Sequence, residues 1–351
     1  MNQTQPPGAE GTAGPPAFTA FTDLASRALG ASVVAANDEL FAQRENLITA
    51  GDAAFDPAVF GHKGKVYDGW ETRRRREPGH DWAIVRLGAA GVVRGVVVDT
   101  AWFRGNYPPF VSIEALAADD YPSVAELVDA EWTTLVARTD CAGDAKNYYA
   151  VDDERCWTHV RLSIYPDGGV ARLRVHGEAI ADPRLLDGTF DLVAAENGGR
   201  LVRTSDAFYS SPAQLILPGR ARSMGEGWEN ARRRGGGNDF AIFALGLPGT
   251  VRHLEIDTGY FVGNAPGWVR VGVVDARSGD LEADDAWTDI LPRRPVRPDT
   301  RHRFVSTRAV EATHVRLDVY PDGGMSRFRL WGELSEATRE EAQQRWTALR
   351  A

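Results

Sequence analysis

Sulfur is scarce in this sequence and long apolar runs are missing, and each shortage closes off a class of protein. Among 351 residues there are two cysteines, Cys141 and Cys156, and three methionines. No Cys-x-x-Cys or Cys–His spacing is present, which argues against a zinc site built on thiolates. A disulfide between the two cysteines stays open, with reduced thiols the expectation for a cytoplasmic chain. The longest apolar stretches, such as Val92 to Val98, are short and broken by charge. No membrane-crossing helix, and no membrane partner, is expected from them. The start, Met1 to Pro16, lacks the basic segment and apolar core of a signal peptide and reads as a disordered tail. The end, Leu349-Arg350-Ala351, is not a peroxisomal address. A cytoplasmic location is the default expectation.

Basic surplus is also missing. The net charge is −9, whereas nucleic-acid backbones require a basic face, so no nucleic-acid partner is expected. HExxH, Walker and GxSxG motifs are absent, and Gly235-Gly236-Gly237 lacks the strand–turn–helix context of a phosphate cradle. The seven histidines form no i,i+4 pair. No cofactor is implied. A divalent metal held across the fold by Asp, Glu and His is compatible with the composition, but spacing does not demonstrate one.

What the sequence does contain is a duplication. Tyr165-Pro166-Asp167-Gly168-Gly169 returns as Tyr320-Pro321-Asp322-Gly323-Gly324, each copy after His-Val-Arg-Leu and before a strand ending in Gly-Glu. Asp68-Gly69-Trp70-Glu71-Thr72 returns as Glu226-Gly227-Trp228-Glu229-Asn230. One constant spacing carries Asp68 onto Glu226, Asp81 onto Asp239 and Asn106 onto Asn264. A slightly shorter one carries Trp132 onto Trp287 and His159 onto His314. Length changes concentrate in surface loops, so the first copy has about ten extra residues between Ile48 and Asp68, and about three near Ala117 to Glu131. The unit is too long for a solenoid repeat and is a domain in its own right.

Period-two alternation dominates, as in Val160, Leu162 and Ile164 against His159, Arg161 and Ser163. Many short strands between Gly/Pro turns predict an all-β sandwich in each copy, with short peripheral helices. Asp167-Gly168-Gly169 predicts a β-hairpin turn closing the first domain, with His159, Arg161, Arg172 and Arg174 on one cationic face. Thr22 to Leu29 is expected to be helical, as is Ser335 to Leu349 with Ser335 as N-cap. The predicted organisation is a tail over 1–17, domains over 18–181 and 190–334, a linker over 182–189 and a terminal helix over 335–351.

Three constellations are candidates for chemistry. Asp68 to Arg76 mixes carboxylates with guanidinium forks, which bind carboxylates and ureido oxygens at two points. A carboxyl beside them can shuttle a proton. The bland reading makes Trp70 and Trp228 core anchors and the arginines a solvated loop. Asp99 to Asn106 follows a buried strand, and Asn106 suits an amide or ureido group; capping and core filling are the competing roles there. The face bearing His159 and Arg161 suits an anion, although support of the sheet is the stronger reading.

Ala36 to Glu39 through Glu45 to Leu47, Asp68 to Arg76 with Gly79 to Trp82, Gly105 to Pro108 into Ser112 to Ala115, and His159 to Gly169 together resemble the allantoicase family. The likeness covers nearly everything from Phe21 to Glu333. It implies two tandem jelly-roll domains of the galactose-binding-like type. It also implies hydrolysis of allantoate to ureidoglycolate and urea in purine (allantoin) degradation, usually within a homo-oligomer. That substrate needs a cation for its carboxylate, amide partners for its ureido groups and an acid to assist departure of urea. Arg74 and Arg75 are expected at the carboxylate, Asn106 at a ureido group, and Asp68 or Glu71 as the acid, with His159 and Arg161 as second choices. The counterparts in the second copy are Glu226, Glu229, Arg232, Arg233 and Asn264. Because Asp68, Arg73 and Tyr107 give way to Glu226, Ala231 and Ala265, the first domain is expected to dominate catalysis. The rival class is a non-catalytic protein that binds a ligand or carbohydrate.

Overall fold

A computed structural model describes residues 14–350. The strand Asp81–Asp99, 19 residues long, organises the first domain. Its beginning lies between Cys156–Tyr165 and Ser32–Ala36. Its end lies between Lys146–Ala150 and Arg172–Ala179. Between them, residues 87–90 break the register. One strand therefore serves two groups of partners. Alternation turns Ala83 and Val85 of its first half, and Val96 and Val98 of its second, into one core with Ile113, Leu162, Leu173 and Val175. Each fully buried aliphatic side chain of this kind stabilises by about 1.5–3 kcal/mol.

The second domain repeats the plan. Asp239–Asp257 is again 19 residues long. It pairs with Arg200–Thr204, Glu311–Tyr320, Arg301–Val305 and Arg327–Glu333. Trp70 and Trp228 are both fully buried. Among the described residues the only α-helices are Val124–Asp129 and Glu336–Leu349, and none is long and apolar enough to cross a membrane. The all-β, two-domain reading is the architecture observed.

Two expectations are corrected. Cys156–Tyr165 and Arg172–Ala179 do not form a hairpin; they pair with opposite edges of Asp81–Asp99, which lies between them. The turn between them is an arch, because Gly169–Val170 pairs instead with Trp70–Glu71. The single cationic face disappears with the hairpin: Arg172 is buried on Asp68, Arg174 bonds the Ala50 and Gly51 carbonyls, and Arg161 pairs with Glu114. Thr22–Leu29 is not a helix either. Thr22–Asp23 pairs with Gly177 and His176, and only Arg27–Leu29 forms a 3-10 turn, capped by Ser26 and ended by Gly30. Tertiary pairing overrides local propensity there.

Of the expected tail, residues 1–13 lie outside the described residues, and Ala17–Ala20 is a 3-10 turn. The terminal helix forms with Ser335 Oγ accepting from Thr338 N at 3.3 Å. It folds back so that Trp346 and Leu349 cover Val92, Cys156 and Ile180 of the first domain. Both cysteines are free and buried.

Candidate active site

Three of the sequence motifs meet at one end of the first domain. The short strand Trp70–Glu71 lies between Gly169–Val170 and Ala42. Trp70 enters the core, and its indole donates to the Asp38 carbonyl at 2.7 Å. Alternation turns Glu71 the opposite way, toward the loop after Asp99. Asn106 Nδ2 donates to Glu71 Oε1 at 2.6 Å. The Asn106 carbonyl accepts from Gly169 N at 2.7 Å. Gly168, at φ +146°, lies against the backbone of Asn106 to Pro108, where a Cβ would come within 2.7 Å. Only glycine fits this turn, which clamps the asparagine loop onto the glutamate strand. Burial pushes the Glu71 carboxyl above the ordinary glutamate range, and the bond from Asn106 offsets this only in part. A carboxyl in that state keeps its proton to higher pH, as a general acid requires.

The second domain builds the same pair. Asn264 Nδ2 donates to Glu229 Oε1 at 2.7 Å, and Gly324 N donates to the Asn264 carbonyl at 2.8 Å. Tyr209 and Ser210 bond the Glu229 carbonyl as Phe41 and Ala42 bond that of Glu71.

The duplicated fold has known counterparts. The model of the allantoicase repeat matches residues 22–180 and 190–335. The chain belongs to the allantoicase family. A probable allantoicase of Streptomyces avermitilis is 54% identical over 91% of this chain and 87% of its own length. One of Nocardia farcinica is 52% identical over 95% and 99%. The crystal structure of allantoicase from Saccharomyces cerevisiae, 33% identical, superposes with a TM-score of 0.78 over 89% of this chain and 92% of that one.

In this allantoicase-family chain the other candidate residues separate into distinct places. Asp68 accepts from buried Arg172 at 2.7 Å and from Ala54 N at 3.0 Å. Burial works to raise its pKa, but those two bonds and the charge of Arg172 hold it below the usual carboxylate range. Arg75 is committed to Asp81, at 2.8 Å, and its backbone N–H to Asp167. Arg74 is exposed and has no hydrogen-bond or ion-pair partner among the described residues. His159 lies elsewhere, beside Leu116 and Arg86. Burial, then the Arg86 charge, pushes it down to about 4, so the ring is neutral near pH 7. Arg161 lies on the outer face of the sheet, 2.7 Å from Glu114.

In the second domain Glu226 is paired with Arg222, and Arg233 with Asp239. Arg232 is exposed, like Arg74. Two of the positions that differ between the copies make local contacts in the first domain. Tyr107 packs flat on Gly143, and its replacement Ala265 accompanies Pro298 at the position of Gly143. Arg73 pairs with Asp38 at the surface. Among the described residues no group of three or more His, Cys, Asp or Glu is placed to hold a metal ion, so the compatible divalent metal has no ligand set there. Sequence reasoning passed over His80, which shares a cavity with Arg75 and Arg161. Its replacement by Asn238 in the second copy was the available signal.

Proposed function

We propose that this chain hydrolyses allantoate to ureidoglycolate and urea at the Glu71–Asn106 pair. The observation that carries the reading is a desolvated carboxyl bonded to an amide at 2.6 Å, in a chain of this family. Glu71 gives its proton to the departing urea nitrogen as the C–N bond breaks. Water then adds its hydroxyl to the carbon and returns a proton to the carboxylate, which restores the acid. Asn106 keeps its second side-chain amide N–H and its Oδ1 for a ureido group. Arg74 offers an uncommitted fork to the substrate carboxylate. Asp68 and Arg75 act as positioning residues: one anchors the loop before the strand, the other fixes the loop after it. We assign the lead to the first domain, where burial raises the Glu71 carboxyl and where Asp68, Arg73 and Tyr107 stand in place of Glu226, Ala231 and Ala265. Glu229, Asn264 and Arg232 are its counterparts in the second domain. The setting we propose is a cytoplasmic homo-oligomer.

The test is urea release from allantoate by the purified chain, with and without added divalent metal. Turnover of allantoate over allantoin and ureidoglycolate is expected. No release under either condition, with clear hits in a glycan-binding screen, would replace the enzyme by a binding protein.

A further inference from the structure

Two rows of side chains cross the outer face of the first domain's sheet: Ile84–Arg161–Glu114 and Trp82–Ser163–Ser112. The second domain has Ile242–Arg316–Gly272 and Phe240–Asp318–Arg270. Ser163 therefore stands where the second domain has Asp318. The Asp318 carboxylate is 1% exposed. One of its oxygens accepts from Arg316 Nε at 3.0 Å and Asn238 Nδ2 at 2.9 Å, and Arg270 lies 3.5 Å from the other. Two hydrogen bonds on one oxygen and the Arg270 charge beside the other, which has no hydrogen bond among the described residues, offset the cost of burying this carboxylate.

The first domain keeps donors but lacks that carboxylate. Arg161 gives Nε to Glu114, and its two Nη nitrogens have no protein acceptor among the described residues. His80 replaces Asn238; its ring lies against Tyr165 at 4.6 Å and has no hydrogen-bond partner among the described residues. Ser163 Oγ is buried without a partner. Arg161 and His80, but not Ser163, line a cavity of about 430 Å³ together with Asn37, Arg75 and Trp82.

We propose that this cavity binds a small monocarboxylate, whose carboxylate takes the place that Asp318 fills in the second domain. Arg161 Nη and the His80 ring N–H, which stand where Arg316 and Asn238 hold Asp318, are the donors. Glu114 balances Arg161 and Asp81 balances Arg75, so recognition rests on donor geometry rather than on net charge. The site is separate from the Glu71–Asn106 pair and does not depend on the reaction proposed there.

The test is an NMR saturation-transfer titration of the full chain with glycolate, and with glycolamide as its neutral counterpart. Saturable binding of glycolate alone is expected. Ser163→Asp, which supplies the carboxylate internally, should weaken it at least about tenfold through the loss of charge-assisted bonds. Glu71→Gln should leave it within about twofold. If Ser163→Asp fails to fold beside Glu114, the pair Ser163→Asp with Glu114→Gly restores the second domain's row and carries the same expectation. Absence of saturable binding by the unaltered chain would overturn the proposal. So would undiminished binding by the Ser163→Asp chains, or loss confined to Glu71→Gln.

Discussion

Glu71 and Asp68 are three residues apart and carry the same functional group, yet their surroundings drive them in opposite directions. Glu71 is raised by burial, whereas Asp68 is lowered once the bonds from Arg172 and Ala54 outweigh its own desolvation. For Glu71 the folded state binds more protons than the unfolded one between pH 4.5 and its raised pKa, so its contribution to stability falls as pH rises through that window. Glu71→Gln should therefore fold at least as stably as the parent at pH 7 by thermal unfolding, while turnover falls at least about 100-fold. The parent's kcat should decline as pH rises through the Glu71 pKa, because the acid must be protonated. Asp68→Asn should behave in reverse. Its bond to Arg172 contributes fully above pH 3.8 and is lost as pH falls through the lowered folded value. At pH 7 the variant should lose about 1.5–3 kcal/mol in guanidinium unfolding, because the charge-assisted bond from Arg172 and the bond from Ala54 N both rest on the carboxylate. Its pH–rate profile should keep the parent's shape. The sequence offered both acids as equivalents, because solvation and bonding partners are properties of the folded chain.

At the scale of elements, the strands and their duplication were legible because period-two alternation and Gly/Pro turns are local signals. The arch at Tyr165–Gly169 was not. A Gly-Gly turn between two alternating runs fits a hairpin and an arch equally well, and the deciding partner, Trp70–Glu71, is remote in sequence. The exchange of Tyr107 for Ala265 likewise reads as the loss of a phenol until Gly143 is seen against the Tyr107 ring, with Pro298 at the matching position of the second copy. Asp144 and Asp299 beside them bond Trp102 N and Tyr260 N alike, at 2.8 Å, so the two loops are otherwise equivalent. Tyr107→Ala should cost about 1–3 kcal/mol by opening a cavity over Gly143. Adding Gly143→Pro should recover part of that loss in a double-mutant cycle. Additive losses would mean that the two positions do not form a packing pair.

At the scale of the molecule, the helix Glu336–Leu349 begins after the second domain and closes over the first. Arg345 reaches Glu178 at 3.2 Å and Arg350 reaches Asp119 at 2.7 Å, but the apolar cover over Cys156 is the larger contribution. Burial pushes the Cys156 thiol up to about 11. Ending the chain at Leu334 should lower the unfolding temperature and make Cys156 reactive toward a thiol reagent, while Cys141 stays protected. Its helical pattern and N-cap were readable in sequence; the domain it covers was not, since docking depends on the folded surface opposite. The two domains hold nearly identical Glu–Asn pairs, at 2.6 and 2.7 Å, so the decisive comparison lies between them. Urea release from allantoate should be measured side by side for the unaltered chain, Glu71→Gln and Glu229→Gln, each confirmed as folded. The account predicts a loss of at least about 100-fold for Glu71→Gln and a much smaller one for Glu229→Gln. Full activity in Glu71→Gln, or a greater loss in Glu229→Gln, would contradict it.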